Sequence, residues 1–201
     1  MNIKNIIASA LAVAATAGPA MADKIPLTSL SSYMNSLKTA IGDFTQINAD
    51  GTVTTGEILI KRPGRIRFEY APPDNSLVIA GGQQVAIFDP KSNVPPEQFP
   101  LKRTPLNLIL AANVDLSRSN MVVGHTDDGT ATVVTVQDPE NPNYGNIQLK
   151  FTDKPVQLRQ WVITNEAGEQ TTVILGEMQN GVDIGSRPFS IVTEIQARGL
   201  N

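Results

Sequence analysis

His125 is the only histidine in this 201-residue sequence, and there is no cysteine. Nucleophilic catalysis needs a base beside the nucleophile, and here neither a thiol nor a second imidazole exists to build such a pair. No serine sits in a Gly-x-Ser-x-Gly turn. Zinc favours clusters of Cys and His, which one histidine cannot supply. The remaining candidate is Asp127-Asp128-Gly129, but Asp and Gly are the residues a hairpin turn demands, and the alternating Asp/Asn ligands of a calcium loop are missing. Gly81-Gly82 falls between two strand-like runs and is not followed by a helix, so it is no phosphate loop. The sequence therefore predicts a protein that is not an enzyme and uses no metal or cofactor.

Composition narrows the partners. The chain holds 16 Lys+Arg against 19 Asp+Glu, and aromatics are 5% of residues. A nucleic-acid binder of the generic kind would be basic with interleaved aromatics. Lys61, Arg62, Arg65 and Arg67 instead alternate along one strand-like stretch, and nucleic acid is excluded as a partner. At the start, Lys4 precedes an apolar run from Ile6 to Ala17, Gly18-Pro19 breaks it, and Ala20-Met21-Ala22 supplies a small–x–small cleavage pattern. This reads as a secretory signal over residues 1–22, its apolar run too short for a comfortable membrane span. Maturation at Asp23 removes Lys4, leaving 15 basic and 19 acidic residues, a charge of −4. Without cysteine the chain can neither be lipidated at an N-terminal thiol nor form disulfides. Residues 23–201 suffice for a single domain with one core.

The periodicity predicts the elements that would position a site. Leu30, Met34, Leu37 and Ile41, with Tyr33, share a helical stripe, and Gly42 serves as its stop. From Phe44 the period falls to two: Ile58 and Ile60, then Ile66, Phe68 and Tyr70 between Arg65, Arg67 and Glu69. Hairpins follow over 77–88 around Gly81-Gly82, over 121–136 around 127–129, and over 158–175 around 165–168. Ile147, Leu149 and Phe151 alternate as well, and Phe189 to Ile195 is expected to form a last strand. Thr104 is placed as the cap of a second helix with Pro105 in its first position. Residues 89–103 and 138–144 are expected as proline-rich loops. A long antiparallel sheet must curl or close. Alternation by itself fits a filled core as well as an open cavity.

The stretch Gly56 to Tyr70, with Lys61-Arg62-Pro63-Gly64-Arg65 at its centre and Pro72-Pro73 after it, resembles the signature of the LolA-type lipoprotein carriers. It is most similar to their alphaproteobacterial branch. Phe44-Thr45-Gln46, Phe88-Asp89-Pro90, Thr104-Pro105-Leu106, Leu158-Arg159-Gln160-Trp161 and Thr171-Thr172-Val173 follow in the family's order. The resemblance implies a mainly β fold: an unclosed, strongly curved antiparallel β-barrel, with helices forming a lid over a hydrophobic cavity for acyl chains. It implies a periplasmic carrier and chaperone, a monomer without enzymatic activity. Its partners would be acylated lipoproteins, an inner-membrane ABC-type releasing complex, and an outer-membrane receptor or the outer membrane itself. Leu30, Met34, Leu37, Ile58, Ile60, Ile66, Phe68 and Tyr70 are expected to line the acyl cavity. Arg62, just before Pro63, is expected to latch barrel to lid, with Arg65 and Arg67 as solvated strand arginines. Some members carry an extra C-terminal segment, whereas this sequence stops soon after Phe189 to Ile195, which leaves open delivery directly to the membrane or to a receptor of another kind. The alternative is a periplasmic lipid-binding or sensor protein of the same fold with another ligand.

Overall fold

A computed structural model describes residues 24–117 and 120–200; the signal segment and the maturation site at residue 23 lie outside the described residues. Eleven strands form one antiparallel sheet. They are β1 (Thr39–Ile47), β2 (Val53–Lys61), β3 (Ile66–Tyr70), β4 (Leu77–Gly81), β5 (Gln84–Phe88) and β6 (Glu97–Pro100), followed by β7 (Val122–Asp127), β8 (Thr132–Gln137), β9 (Asn146–Thr152), β10 (Gln157–Thr164) and β11 (Gln170–Asn180). The order across the sheet is β6-β5-β4-β3-β2-β1-β11-β10-β9-β8-β7, so β6 and β7 are free edges and the barrel is unclosed. Helix α1 (Leu27–Ser36) precedes the sheet, α2 (Leu106–Leu110) lies in the β6–β7 connection, and α3 (Ile191–Ala197) follows β11. No helix among the described residues is long and apolar enough to cross a membrane.

The curl can be measured from side chains. Phe68 on β3 and Trp161 on β10 are four strands apart in the sheet, roughly 19 Å if it were flat. Their ring centroids are 6.3 Å apart in a T-shaped contact. The sheet thus bends until opposite walls touch, and every second residue of most strands meets in one apolar cluster.

Expectations from the sequence are corrected at several places. The first helix ends at Ser36, and Ile41 and Gly42 belong to β1. Pairing decides this: residues 39–47 are bonded to β2 on one side and β11 on the other along nearly their whole length. Gly42 is no helix stop; a Cβ there would lie 2.5 Å from Met178 Sδ and 2.6 Å from the Glu177 carbonyl oxygen, beside a bulge in the β1–β11 ladder. The second helix is capped by Pro105 rather than Thr104, whose hydroxyl donates to the Leu101 carbonyl at 2.8 Å. The proline-rich stretch 89–103 contains β6 and a 3-10 turn, Leu101–Arg103, and 138–144 ends in another, Pro142–Tyr144.

The C-terminal stretch is a further correction. Phe189 to Ile195 forms no strand but a 3-10 turn, Arg187–Phe189, and then α3, capped by Ser190 Oγ accepting from the Thr193 N–H at 3.2 Å. Ile191 and Ile195, four apart, cover the outer face of β4 and β5, where Leu77, Ile79, Ala86 and Phe88 are buried. Strands covered on both faces read as unbroken apolar runs, as Leu77-Val78-Ile79-Ala80 does. Gly81 admits this segment, since a Cβ would stand 2.0 Å from the Phe189 carbonyl oxygen. Nor are Arg65 and Arg67 merely solvated. Arg65 Nη1 donates to Ser186 Oγ at 3.3 Å, and Arg67 Nη1 to the Pro188 carbonyl at 3.2 Å and Glu194 Oε2 at 3.0 Å. Lys61 Nζ donates to the Ile184 carbonyl.

Burial raises the pKa of Glu194, but hydrogen bonds from Arg198 and Arg67, with their charges, outweigh it and hold the carboxyl below its ordinary 4.5. The folded-state value is depressed, so its contribution is full above pH 4.5 and is lost as pH falls through the lower folded value. Glu194→Gln should therefore lower unfolding free energy by about 1 kcal/mol at pH near 7, by an amount that shrinks as pH falls below 4.5. Urea titrations across this pH range check this.

Candidate functional site

The chemistry-bearing residues are engaged in hydrogen bonds within the fold. His125 Nε2 lies 3.1 Å from the Ile25 carbonyl oxygen. Asp127 accepts from the Gly129 N–H at 2.7 Å, inside the β7–β8 turn. Hydrogen bonds from the Thr130 hydroxyl and from Lys150, then the Thr130 backbone N–H, hold the Asp128 carboxyl well below the usual carboxylate range. No three His, Asp or Glu among the described residues are placed to hold a metal ion.

What the fold does concentrate is apolar surface under a polar clasp. Leu30, Met34 and Leu37 from α1 are buried, as are Ile58 and Ile60 from β2 and Ile66 and Phe68 from β3. All seven belong to one cluster, with the half-buried Tyr70 packed against it. Leu106, Ile109 and Leu110 of α2 and Val114 and Leu116 beyond it join from above. Deeper in, Phe44 makes T-shaped contacts with Phe68 at 5.3 Å and Tyr70 at 5.1 Å. Burial pushes the Tyr70 phenol up to about 12, against a lowering hydrogen bond with Gln46, so it stays a neutral donor, 2.8 Å from Gln46 Oε1.

Arg62 stands where this interior meets the helices. It directly follows β2, and the residue is 6% exposed. Nη1 donates to the Met34 carbonyl and, at 3.4 Å, to the Leu37 carbonyl; Nη2 donates to the Ala111 carbonyl at 2.6 Å. Met34 lies in the last turn of α1 and Leu37 is its C-cap, while Ala111 is the C-cap of α2. The last carbonyls of a helix lack intrahelical donors. One guanidinium thus occupies the C-terminal ends of both helices at once, which its planar fork permits and a lysine ammonium would not. Burial lowers its pKa from 12.5, yet so strong a base stays charged at neutral pH.

Other ties were invisible to periodicity. Asn35 and Val114 exchange two hydrogen bonds, Nδ2 to carbonyl at 2.8 Å and N–H to Oδ1 at 2.9 Å. The Ser31 hydroxyl accepts from the Leu116 N–H at 2.9 Å. The Gly64 N–H donates to the Leu110 carbonyl at 2.8 Å, and the Arg62 N–H to the Lys38 carbonyl at 2.8 Å. Asn35 and Ser31 read in sequence only as polar positions on an amphipathic helix.

The structure is an unclosed barrel whose packed apolar interior is covered by two helices tied to a single arginine. The profile of the family described as outer membrane lipoprotein carrier protein LolA matches residues 35–192. The chain belongs to that family. An outer-membrane lipoprotein carrier protein of Azotobacter vinelandii is 26% identical over 192 residues, covering 90% of this chain and 91% of that one. That of Pseudomonas aeruginosa is 22% identical over 198 residues, covering 94% and 93%. Among solved structures, a LolA superfamily protein from Nitrosomonas europaea aligns with a TM-score of 0.44 and 8% identity, over 83% of this chain and 98% of that chain.

Replacing Arg62 by Ala should strip the helix ends of their shared donor while the sheet persists. Amide protection over residues 27–37 and 106–112 should fall by roughly a hundredfold, the worth of two or so charge-assisted bonds. Hydrogen exchange read by mass spectrometry checks it, with unchanged protection of β9 to β11 as the control.

Proposed function

We propose that the protein is a periplasmic carrier that takes the acyl chains of lipoproteins into the barrel interior and delivers them to the outer membrane. The observation that carries this reading is the buried Arg62 bridging both helix ends above an apolar interior. Membership of the lipoprotein-carrier family supports it. In the closed state the lining side chains pack on one another and Arg62 holds α1 and α2 down. Opening costs those bonds and exposes the lining. Acyl chains repay that exposure, at about 0.8 kcal/mol for each CH₂ removed from water. Two states of comparable free energy result, and cargo selects the open one. The cycle makes and breaks no covalent bond. An inner-membrane ABC-type complex would load the carrier, and an outer-membrane receptor or the membrane itself would unload it.

In this reading Leu30, Met34, Leu37, Ile58, Ile60, Ile66, Phe68 and Tyr70 line the acyl site. Phe68→Glu places a charge among them and should abolish uptake of a lipophilic fluorophore while circular dichroism still reports the sheet. A folded variant that binds the probe as wild type does would remove these residues from the site. Arg62→Leu should still load but release poorly, because the open state no longer competes with the latch. Acylated cargo should then accumulate on the periplasmic carrier, seen by native mass spectrometry of detergent-free preparations. Delivery at wild-type rates would reduce Arg62 to a structural residue.

A further inference from the structure

Trp161 is the one tryptophan of the chain. It is fully buried on β10, facing the barrel interior between Leu149 of β9 and Val173 of β11. Both neighbours belong to the same apolar cluster, and Phe68 meets the indole from the opposite wall. In that setting the indole Nε1–H has no hydrogen-bond partner among the described residues. Buried tryptophan N–H groups ordinarily find one. Two other buried side-chain atoms share its condition among the described residues, Thr54 Oγ1 and Arg62 Nε. A hydroxyl can swing toward a partner, and the Arg62 guanidinium is already committed to lid carbonyls. The indole is held on all sides and cannot turn. Phenylalanine would supply an aromatic filler without leaving a donor unmet.

A ligand that satisfies this N–H must be apolar enough to enter the interior and must bring one acceptor with it. An alkyl chain has none. An acyl group has its carbonyl oxygen, which loses its own water on entering an apolar space and needs a donor there. We propose that Trp161 Nε1–H receives the carbonyl of a bound acyl group, so that the interior distinguishes acyl from alkyl chains. The inference rests on the carrier reading and adds a specificity-determining residue to it. The shared chemistry is the acyl carbonyl, whether carried as an ester or as an amide.

The full mature protein tests this with three soluble probes: dioctanoylglycerol, its dioctyl ether counterpart, and N-octanoylethanolamine. Affinities come from displacement of a lipophilic fluorophore. The indole N–H is followed by nitrogen-15 NMR, where a single tryptophan gives a single resonance. The ester should bind roughly tenfold more tightly than the ether, the worth of one satisfied buried hydrogen bond. It should also move the indole resonance downfield and slow its exchange with water, while the ether leaves both unchanged. A matching shift with the amide assigns an N-linked chain to the site as well, and its absence assigns the ester alone. Trp161→Phe should bind the ether as wild type does and lose the preference for the ester; should that variant fail to fold, the wild-type resonance decides. Equal affinity for ester and ether with an unmoved indole would overturn the inference and leave the carrier reading standing. Failure of all three probes to bind would overturn both.

Discussion

Arg62 places a permanent charge inside an apolar interior, and a charge taken out of water is tolerated only where polar partners surround it. The partners here are carbonyls of Met34, Leu37 and Ala111. They come from the C-terminal ends of two helices far apart in the sequence. Because the charge cannot be left bare, α1 and α2 are drawn to one point above the barrel mouth. Because those carbonyls have no donors of their own, the helices gain from going there. Loss of either side strands the other, which makes the closed lid a cooperative unit.

The hairpin that carries Arg62 is held from outside as well. Lys61, Arg65 and Arg67 bond to the stretch between Ile184 and Glu194, on the face opposite the lid. Alternation along a strand sends successive side chains to opposite faces, so one short basic run serves two different contacts. The C-terminal segment also buries the outer face of β4 and β5. In the carrier reading this leaves the β2–β3 hairpin as the fixed member, against which the lid helices move.

The interior is apolar without being featureless. Tyr70 keeps its proton through burial and is answered by Gln46, while the Trp161 N–H is answered by nothing among the described residues. A container lined only by aliphatic groups would shelter any oily molecule of the right size. A few fixed polar groups in an apolar site are what give orientation and selectivity.

Much of this was legible in the sequence, and what was legible shares a cause. Ile58, Ile60, Ile66 and Phe68 announced their inward face because the period of a strand is local geometry, and the Gly81-Gly82 and 127–129 turns announced their hairpins for the same reason. Leu30, Met34 and Leu37 did so through the helical period. Local geometry failed where pairing or packing partners lie far along the chain. Residues 39–42 continue a helical stripe, yet two strands bind them. Phe189 to Ile195 looks like a strand in isolation, yet Ile191 and Ile195 fold as a helix because the outer face of β4 and β5 awaits cover. Arg62, Arg65 and Arg67 are indistinguishable as residue types, and only the curled sheet decides which guanidinium turns inward to the lid and which turn out to the C-terminal segment. The sequence by itself determined most of the strands and the faces they turn inward, since those depend on neighbours a few residues away. The closing of the lid, the two-sided burial of β4 and β5 and the unmet indole were decided by tertiary structure alone, because each is a relation between surfaces that meet only after the sheet has bent.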